Sequence, residues 1–575
     1  MIPKNYLTLV FSLFASLAVY ADDAKQALPS SVPGGAQFMK QHPASDVNGD
    51  GVLTAKEQDN FCVNHTIKAL GGGYTYRKEM VAMRDGVKLA TGIFVPEGKG
   101  PLPVVLIRTA YQINAAAMQN ADIYRNKNIV FICQDLRGDG ESEGKGGFDA
   151  RIFDNEIDDG YDTIEWIASQ PYCNGSVGMT GNSGHGFSAY MAYLAKPSSL
   201  KAVSTKISGG NAELYWTFHN GVRREMYNWL RSRNIPIPQW PKPTITVFDK
   251  KKYVDTLKHA SVNNETVFIA KTGWYDIFLE SSLDYFKAFG KKGKVFVQVD
   301  ASGHGNMIGK KFPNKTVPSE WRIPDLVDAT SGIGIPAKSH IVYYLMGDCS
   351  DPNAPGNTYK FTNVWPVPHE KVSYYMNQDG SMGEKRPRAR EASLTFQYDP
   401  RNPVPSAGGD VFIHKGVGPL DQRVLKDRTD VLRFKSESLT KPLEITGKLK
   451  AELFIKTDVE DTTFTAKLID VYPDGYEAII KDSIIMTRFN EGIDKESKIE
   501  KGNIYKLTMD MWSTAYVFNK GHKMAVHISS SNSPKYEVHP NTFEPVMSFN
   551  DVPVANNTVM FSAQYPSRII LPVVK

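Results

Sequence analysis

Val177-Gly178-Met179-Thr180-Gly181-Asn182-Ser183-Gly184-His185-Gly186-Phe187 is the stretch on which the fold turns. The residues ahead of Ser183 are short and partly β-branched, as at the end of a buried strand. Those after it, Phe187 to Leu194, carry apolar side chains at helical spacing. Gly181, Gly184 and Gly186 crowd the junction. A strand that turns sharply into a helix around a serine is a nucleophile elbow. The turn is strained, its neighbours must be small, and the serine Oγ stands proud of the sheet. The last glycine of the G-x-S-x-G pattern falls one place late here, at Gly186, behind His185. On these residues alone a plain strand-to-helix turn remains the competing reading.

The flanking sequence has the rhythm that an elbow needs. Pro103 to Thr109 and Ile129 to Asp135 are short continuous apolar runs, which fit strands covered on both faces. The second leads into the polar loop Arg137 to Gly144, and Asp158 to Ala168 reads as a helix. Tyr76–Val81 and Val87–Phe94 form two strands joined at Arg84-Asp85-Gly86. A strand starts near Lys201, and Val267–Ala270 and Lys294–Val299 add two more, with a helix over 280–289 between them. Strand and helix in alternation predict an α/β fold with a mostly parallel sheet. Residues 209–260 interrupt the rhythm with Trp216, Phe218, Tyr227, Trp229 and Trp240 and four prolines, and read as an inserted helical cap. From about 338 short strands recur between turn residues, which predicts an all-β sandwich or jelly roll to residue 575.

Composition bounds the function. The 575 residues allow two to four domains, and 41% hydrophobic and 22% charged residues are those of a globular protein. A net charge of +5 with interspersed signs offers no nucleic-acid surface. Residues 1–21 read as a signal peptide, with Lys4, an apolar run from Leu7 to Val19 and a cleavage site at Val19-Tyr20-Ala21. The protein is therefore expected in the periplasm or secreted, with no membrane span. Four cysteines, Cys62, Cys133, Cys173 and Cys349, allow at most two disulfides, and Cys133 lies in a strand pattern that suits a buried thiol.

Residues 22–73 form an N-terminal segment that contains an EF-hand-like loop. Asp46, Asn48 and Asp50 place oxygen ligands at loop positions 1, 3 and 5, and Gly51 makes the turn. Val52 offers its carbonyl, Thr54 its side chain or a water, and Glu57 a bidentate carboxylate. A structural Ca²⁺ is the expected occupant. The alternative is a metal-free turn rich in Asp and Gly.

Ser183, Asp276 and His304 follow one another in the chain order of α/β-hydrolase triads. Asp276 and His304 each stand just past the end of a predicted strand, which is the ligand edge of an open α/β sheet. A neutral imidazole must take the serine proton, and a carboxylate must hold that imidazole in the right tautomer. The Gly184 N–H is a candidate oxyanion donor. Asp135 and Asp300 also follow strands, but the first precedes the elbow and the second lies four residues from His304. His185, His219 and His259 are less well placed as the base.

Several motifs resemble the cocaine esterase/X-Pro dipeptidyl-peptidase group of serine acyl hydrolases, with its α-amino acid ester hydrolase and glutaryl acylase relatives. They are Met83–Leu89, Asp135–Gly144, Tyr161–Trp166, the elbow and Gly273–Asp276, then Gly418–Arg423, Asp430–Leu432, Asp470–Gly475 and Ile528–Pro534. The resemblance implies an α/β-hydrolase domain over 74–208 and 261–337, a helical cap over 209–260 and a jelly roll over 338–575. It implies Ser183 as nucleophile, His304 as base and Asp276 as its orienter. It also implies that the Tyr111 hydroxyl is an oxyanion donor beside the Gly184 N–H. The group usually has Tyr where this chain has Gly184, and Pro where it has Ala110.

The expected activity is cleavage of a small ester or amide substrate through an acyl-enzyme, with no cofactor for catalysis; a homo-oligomer is compatible with it. Two alternatives stand beside it: an X-Pro dipeptidyl-peptidase, and a non-catalytic secreted protein that binds glycan or peptide.

Overall fold

Apolar runs too short for helices set the frame of the first half. Leu102–Thr109, Val130–Asp135 and Cys173–Asn182 are strands whose apolar side chains are almost all buried. The computed structural model describes residues 35–145, 155–210, 218–225, 257, 262–412, 416–492, 495–544 and 549–575. The expected leader at 1–21 lies outside them, as does most of the stretch assigned to the cap. The described residues divide into two compact units. One holds those up to Ser204 with Asp325–Ile335, and the other holds Thr205–Pro324 and Pro336–Lys575.

In the first unit the elements are α1 (Gly35–Gln41), α2 (Ala55–Leu70), β1 (Tyr74–Ala82), β2 (Lys88–Pro96), β3 (Leu102–Thr109), α3 (Ile113–Asn120), β4 (Val130–Asp135), α4 (Glu156–Ala168), β5 (Cys173–Asn182), α5 (Gly184–Ala195) and β6 (Leu200–Lys206). The strands lie in the order β1-β2-β4-β3-β5-β6. β1 and β2 are antiparallel, as are β2 and β4; β3 runs parallel to both β4 and β5. The C-terminal ends of β3, β4 and β5 therefore share one edge. Helix α5 is buried from His185 to Tyr193 because it packs between the sheet and α4. A helix in that place must be apolar on nearly all sides.

Three of the quoted motifs meet in this unit. Arg137 binds Asp159 of α4 at 2.6 Å and Asp85 of the β1–β2 turn at 2.7 Å. Arg84 of that turn binds Asp162 and Asp158, both at 2.7 Å. The motifs thus fasten the 135–144 loop and the turn to α4.

In the second unit β9 (Val267–Tyr275), β10 (Lys294–Gly303), β11 (His340–Leu345) and β12 (Thr358–Thr362) lie in that order, with α6 (Leu279–Phe289) after β9. β10 is parallel to β9 and β11, and β12 is antiparallel to β11. The Ile207 N–H, just past β6, donates to Lys271 O of β9 at 2.7 Å. This revises the expected boundary at 338: β11 reads by texture like the strands after it, but it pairs with β10. The chain between β10 and β11 offers one five-residue helix, α7 (Leu326–Thr330), too short to mark a crossover in the sequence.

The insertion also needs correction where it is described. Phe218–His219 (β7) and Val222–Arg223 (β8) form a β-hairpin. Asn220 at its turn donates to Ser483 Oγ, Ile484 O and Asp510 O, each at 3.0 Å. The Asn-Gly turn at 220–221 carried this signal, which the surrounding aromatics masked. Trp216, Tyr227, Trp229 and Trp240 lie outside the described residues.

The rest of this unit is all-β. One antiparallel sheet runs Met382–Gly383, Glu370–Met376, Arg568–Val573, Leu443–Lys456, Ala555–Met560 and Ser393–Tyr398, with Tyr505–Phe518 also on Leu443–Lys456. The other runs Leu432–Lys435, Lys523–Ser529, Thr463–Val471 and Glu477–Met486. All four cysteines are free, and Cys133 is buried as expected.

A buried polar knot in this unit gives a pH test. His522 Nδ1 lies 2.9 Å from the carboxylate oxygens of Asp470, and its Nε2 lies 3.2 Å from Asp348 Oδ2. Burial disfavours the His522 cation, but Asp470 and Asp348 outweigh it and raise the imidazole above its ordinary 6.5. Burial lifts the Asp470 carboxyl as well; within this knot, the stability lost toward alkaline pH belongs to His522. With the folded value above the unfolded one, this contribution is full below about pH 6.5 and is lost as the pH rises through the folded value. The His522 contribution, read as the urea midpoint of wild type minus that of His522→Gln, is therefore expected to shrink as the pH rises from about 6.5.

Candidate active site

β5 delivers Ser183 in an unfavourable backbone conformation, φ 52° and ψ −124°. A residue with a side chain holds such angles only where its surroundings impose them. Here the chain passes straight into α5, and Gly186 N–H closes on Ser183 O at 3.1 Å. Gly181 is required by the same turn: a Cβ there would stand 2.3 Å from the His185 carbonyl carbon. Ser183 is buried.

At position 184 the lack of a side chain leaves room that Tyr111 occupies. A Cβ on Gly184 would lie 2.3 Å from Tyr111 Oη. The phenol of Tyr111 thus rests on the backbone that follows Ser183, in space that any side chain at 184 would fill. Tyr111 follows the end of β3, and its N–H donates to Thr109 Oγ1 at 2.8 Å. Its ring packs on His185 with centroids 4.8 Å apart. Burial lowers the His185 imidazole to about 4, so it is neutral at pH 7. The first unit therefore brings together Ser183, Gly184 and Tyr111.

The second unit brings together Asp276 and His304. Asp276 follows β9, is fully buried, and accepts from Phe278 N–H through Oδ1 at 2.9 Å. His304 follows β10, and the pairing of Gly303 with Tyr275 sets the two strand ends level. His304 Nδ1 lies 3.5 Å from Asp276 Oδ1. Phe278 and Phe412 pack on the imidazole, with centroids at 5.2 and 4.7 Å. Phe412 is a contact that no motif announced.

The rejected candidates have other partners. Asp300 Oδ1 accepts from Gln298 at 2.9 Å and Tyr359 at 2.7 Å. Asp135 is closed over by its own loop, accepting from Glu141 N–H at 3.2 Å, and burial lifts its carboxyl to about 7. His219 stacks on Trp512 at 4.3 Å, and burial, with Arg224 nearby, pushes it down to about 3. His259 lies outside the described residues.

The EF-hand-like loop folds through its own bonds. Asp46 accepts from Gly49 and Gly51 N–H at 2.8 and 2.9 Å, and Asp50 from Val52 N–H at 2.8 Å. The oxygen-only donors of Asp46, Asn48, Asp50, the Val52 carbonyl and Thr54 suit a hard cation. Glu57 instead closes a capping box with Thr54 at the start of α2. Among the described residues no three His, Cys, Asp or Glu side chains are placed to hold a metal.

Residues 85–234 match the X-Pro dipeptidyl-peptidase (S15 family) model, and residues 343–570 match that of the X-Pro dipeptidyl-peptidase C-terminal non-catalytic domain. The chain belongs to the cocaine esterase/X-Pro dipeptidyl-peptidase-like family of serine hydrolases. It is 28% identical to a cocaine esterase from Rhodococcus sp., over 86% of this chain and 98% of the relative. It is 23% identical to a putative serine esterase of Mycobacterium bovis, over 88% and 96%. Two solved structures share the fold. An aminopeptidase of a marine sediment archaeon of the Thaumarchaeota superposes with a TM-score of 0.74 at 23% identity, covering 88% of this chain and 97% of the other. An α-amino acid ester hydrolase superposes with 0.69 at 21% identity, covering 87% and 97%. In this family the 85–234 match spans both Tyr111 and the elbow.

Proposed function

We propose that this protein is an exported serine esterase that works through an acyl-enzyme. The observation that carries the reading is the seat of Tyr111 Oη on the Gly184 backbone, one residue past a strained serine. Two donors of different kinds would then face one oxyanion, the Gly184 N–H and the Tyr111 O–H. Such donors stabilise the charge that develops in a tetrahedral intermediate. Ser183 Oγ attacks the carbonyl, and its proton passes to His304 Nε2. Asp276 holds the imidazole by its Nδ1 side and stabilises the imidazolium. The intermediate collapses, the leaving alkoxide takes the proton from His304, and the acyl group stays on Ser183. Water, activated by His304, then releases the acid and restores the serine.

The ester assignment is supported by the 28% identity to a cocaine esterase across nearly the whole of that protein. A panel of p-nitrophenyl esters, aryl amides and Xaa-Pro amides tests it. Turnover of esters with none of Xaa-Pro amides is expected; faster turnover of Xaa-Pro amides would replace the reading by a dipeptidyl-peptidase. Turnover of nothing, by folded protein, would favour the binding-protein alternative.

Two further features complete the proposal. Residues 1–21 direct export and are removed after Ala21, which N-terminal sequencing of the mature protein checks. The loop from Asp46 to Glu57 binds one structural Ca²⁺, with the Glu57 carboxylate leaving Thr54 to reach it. Saturating Ca²⁺ at 100 times its dissociation constant would stabilise the fold by about 2.7 kcal/mol. Wild type is thus expected to melt higher in Ca²⁺ than in chelator, and Asp50→Asn to melt alike in both; identical melting of wild type in both conditions would remove the metal from the account.

A further inference from the structure

The chain that leaves Tyr111 is held against its backbone preference. Gln112, which follows Tyr111, has φ 73° and ψ 139°. A residue with a side chain keeps such angles only where the surroundings over-determine them. On the β3 side the constraint is plain: Tyr111 N–H is bound by Thr109 Oγ1, and Thr109 O accepts from Leu136 N–H, both at 2.8 Å. On the other side Gln112 leads directly into α3. That helix rests on β4, and α2 packs along it.

The contact between α2 and α3 is specific. Asn114 Nδ2 donates to Asp59 Oδ1 at 2.5 Å. Lys78 Nζ of β1, which donates to Glu141 at 2.6 Å, also stands 3.7 Å from Asp59 Oδ2. At its far end α2 accepts from Asn126 N–H through Leu70 O at 3.0 Å. α2 is also a self-contained rod: the Thr54 side chain caps the Glu57 N–H at the start of its 16 residues, and Gly71 in the left-handed conformation closes them. It precedes residue 85, where the match to the S15 family begins.

We propose that α2 is a brace for the oxyanion site and that Asp59 is a positioning residue for the Tyr111 hydroxyl. Asn114 lies three residues after Tyr111, with only the strained Gln112 and Ile113 between them. Pinning Asn114 fixes the start of α3, and through it the side of the turn that β3 does not hold. An oxyanion donor is effective only within a narrow range of distance from the developing charge, so a small drift of α3 is enough to weaken it. The inference rests on the reading of Tyr111 as an oxyanion donor.

The test is steady-state hydrolysis of p-nitrophenyl acetate by the full mature chain, with Asp59→Ala made in the wild type and in Tyr111→Phe. Asp59→Ala is expected to lower kcat about fivefold with KM within about twofold. Asp59→Asn, which keeps an acceptor for Asn114, is expected to retain most of the activity. In the Tyr111→Phe background Asp59→Ala is expected to change kcat by less than about twofold, because the group it positions is gone. An equal loss in both backgrounds, a loss confined to KM, or no loss would overturn the brace. If Tyr111→Phe itself leaves kcat unchanged, the donor reading fails and the brace falls with it. Should Asp59→Ala not fold, Asn114→Ala removes the same bond from the other partner and is read in the same way.

Discussion

Asp276→Asn is expected to lower kcat about 10⁴-fold, the size of loss seen when the carboxylate of a Ser-His-Asp triad becomes an amide. The variant should fold, because asparagine has the same shape and its amide oxygen can accept from Phe278 N–H as Asp276 Oδ1 does at 2.9 Å. The lost charge is what matters. Asp276 is fully buried and lies 3.5 Å from His304 Nδ1, so little water is there to replace the carboxylate beside the imidazolium. If the amide nitrogen turns toward Nδ1, the imidazole is also forced into the tautomer that cannot accept the serine proton. KM should change little, since the carboxylate does not meet the substrate. A loss below tenfold would remove Asp276 from its role and turn attention to Asp300, now held by Gln298 and Tyr359.

Gly184→Ala is expected to cost about 10²–10³-fold in kcat, the range for loss of one oxyanion donor. An added methyl would stand 2.3 Å from Tyr111 Oη and 3.0 Å from the ring atoms Cε2 and Cζ. Either Tyr111 swings away or the elbow shifts, and both separate the two donors. Adding Tyr111→Phe removes the nearest clashing atom. The double variant should therefore melt higher than Gly184→Ala alone, yet hydrolyse no faster. A double variant that recovers the rate would show that Tyr111 obstructs position 184 without serving catalysis.

The elbow was legible because its chemistry is local. Small residues must surround a turn at Ser183, and Gly181 and Gly184 each answer to one atom or one backbone segment. Asp276 and His304 were legible for a related reason: a residue just past a buried strand falls on the ligand edge of a parallel sheet. The capping box at Thr54 and Glu57 was also written in the sequence, but as a metal ligand set, because one carboxylate serves both purposes. What stayed hidden depends on tertiary partners. His340–Leu345 reads alike in a parallel sheet or a sandwich, and only its pairing with Phe296–Val299 decides. The hairpin at Phe218–Arg223 lay under an aromatic composition that suggested helix. The approach of Tyr111 to Gly184 joins residues 73 positions apart, and sequence spacing carries no sign of it.

The most direct test of the central claim is labelling of the folded protein with a fluorophosphonate, followed by peptide mapping. The account predicts a single phosphonylated serine, Ser183, with labelling abolished in Ser183→Ala and His304→Ala and strongly slowed in Asp276→Asn. Adduct on another serine, or no adduct on well-folded wild type, would contradict it, and labelling that survives His304→Ala would show that another group is the base.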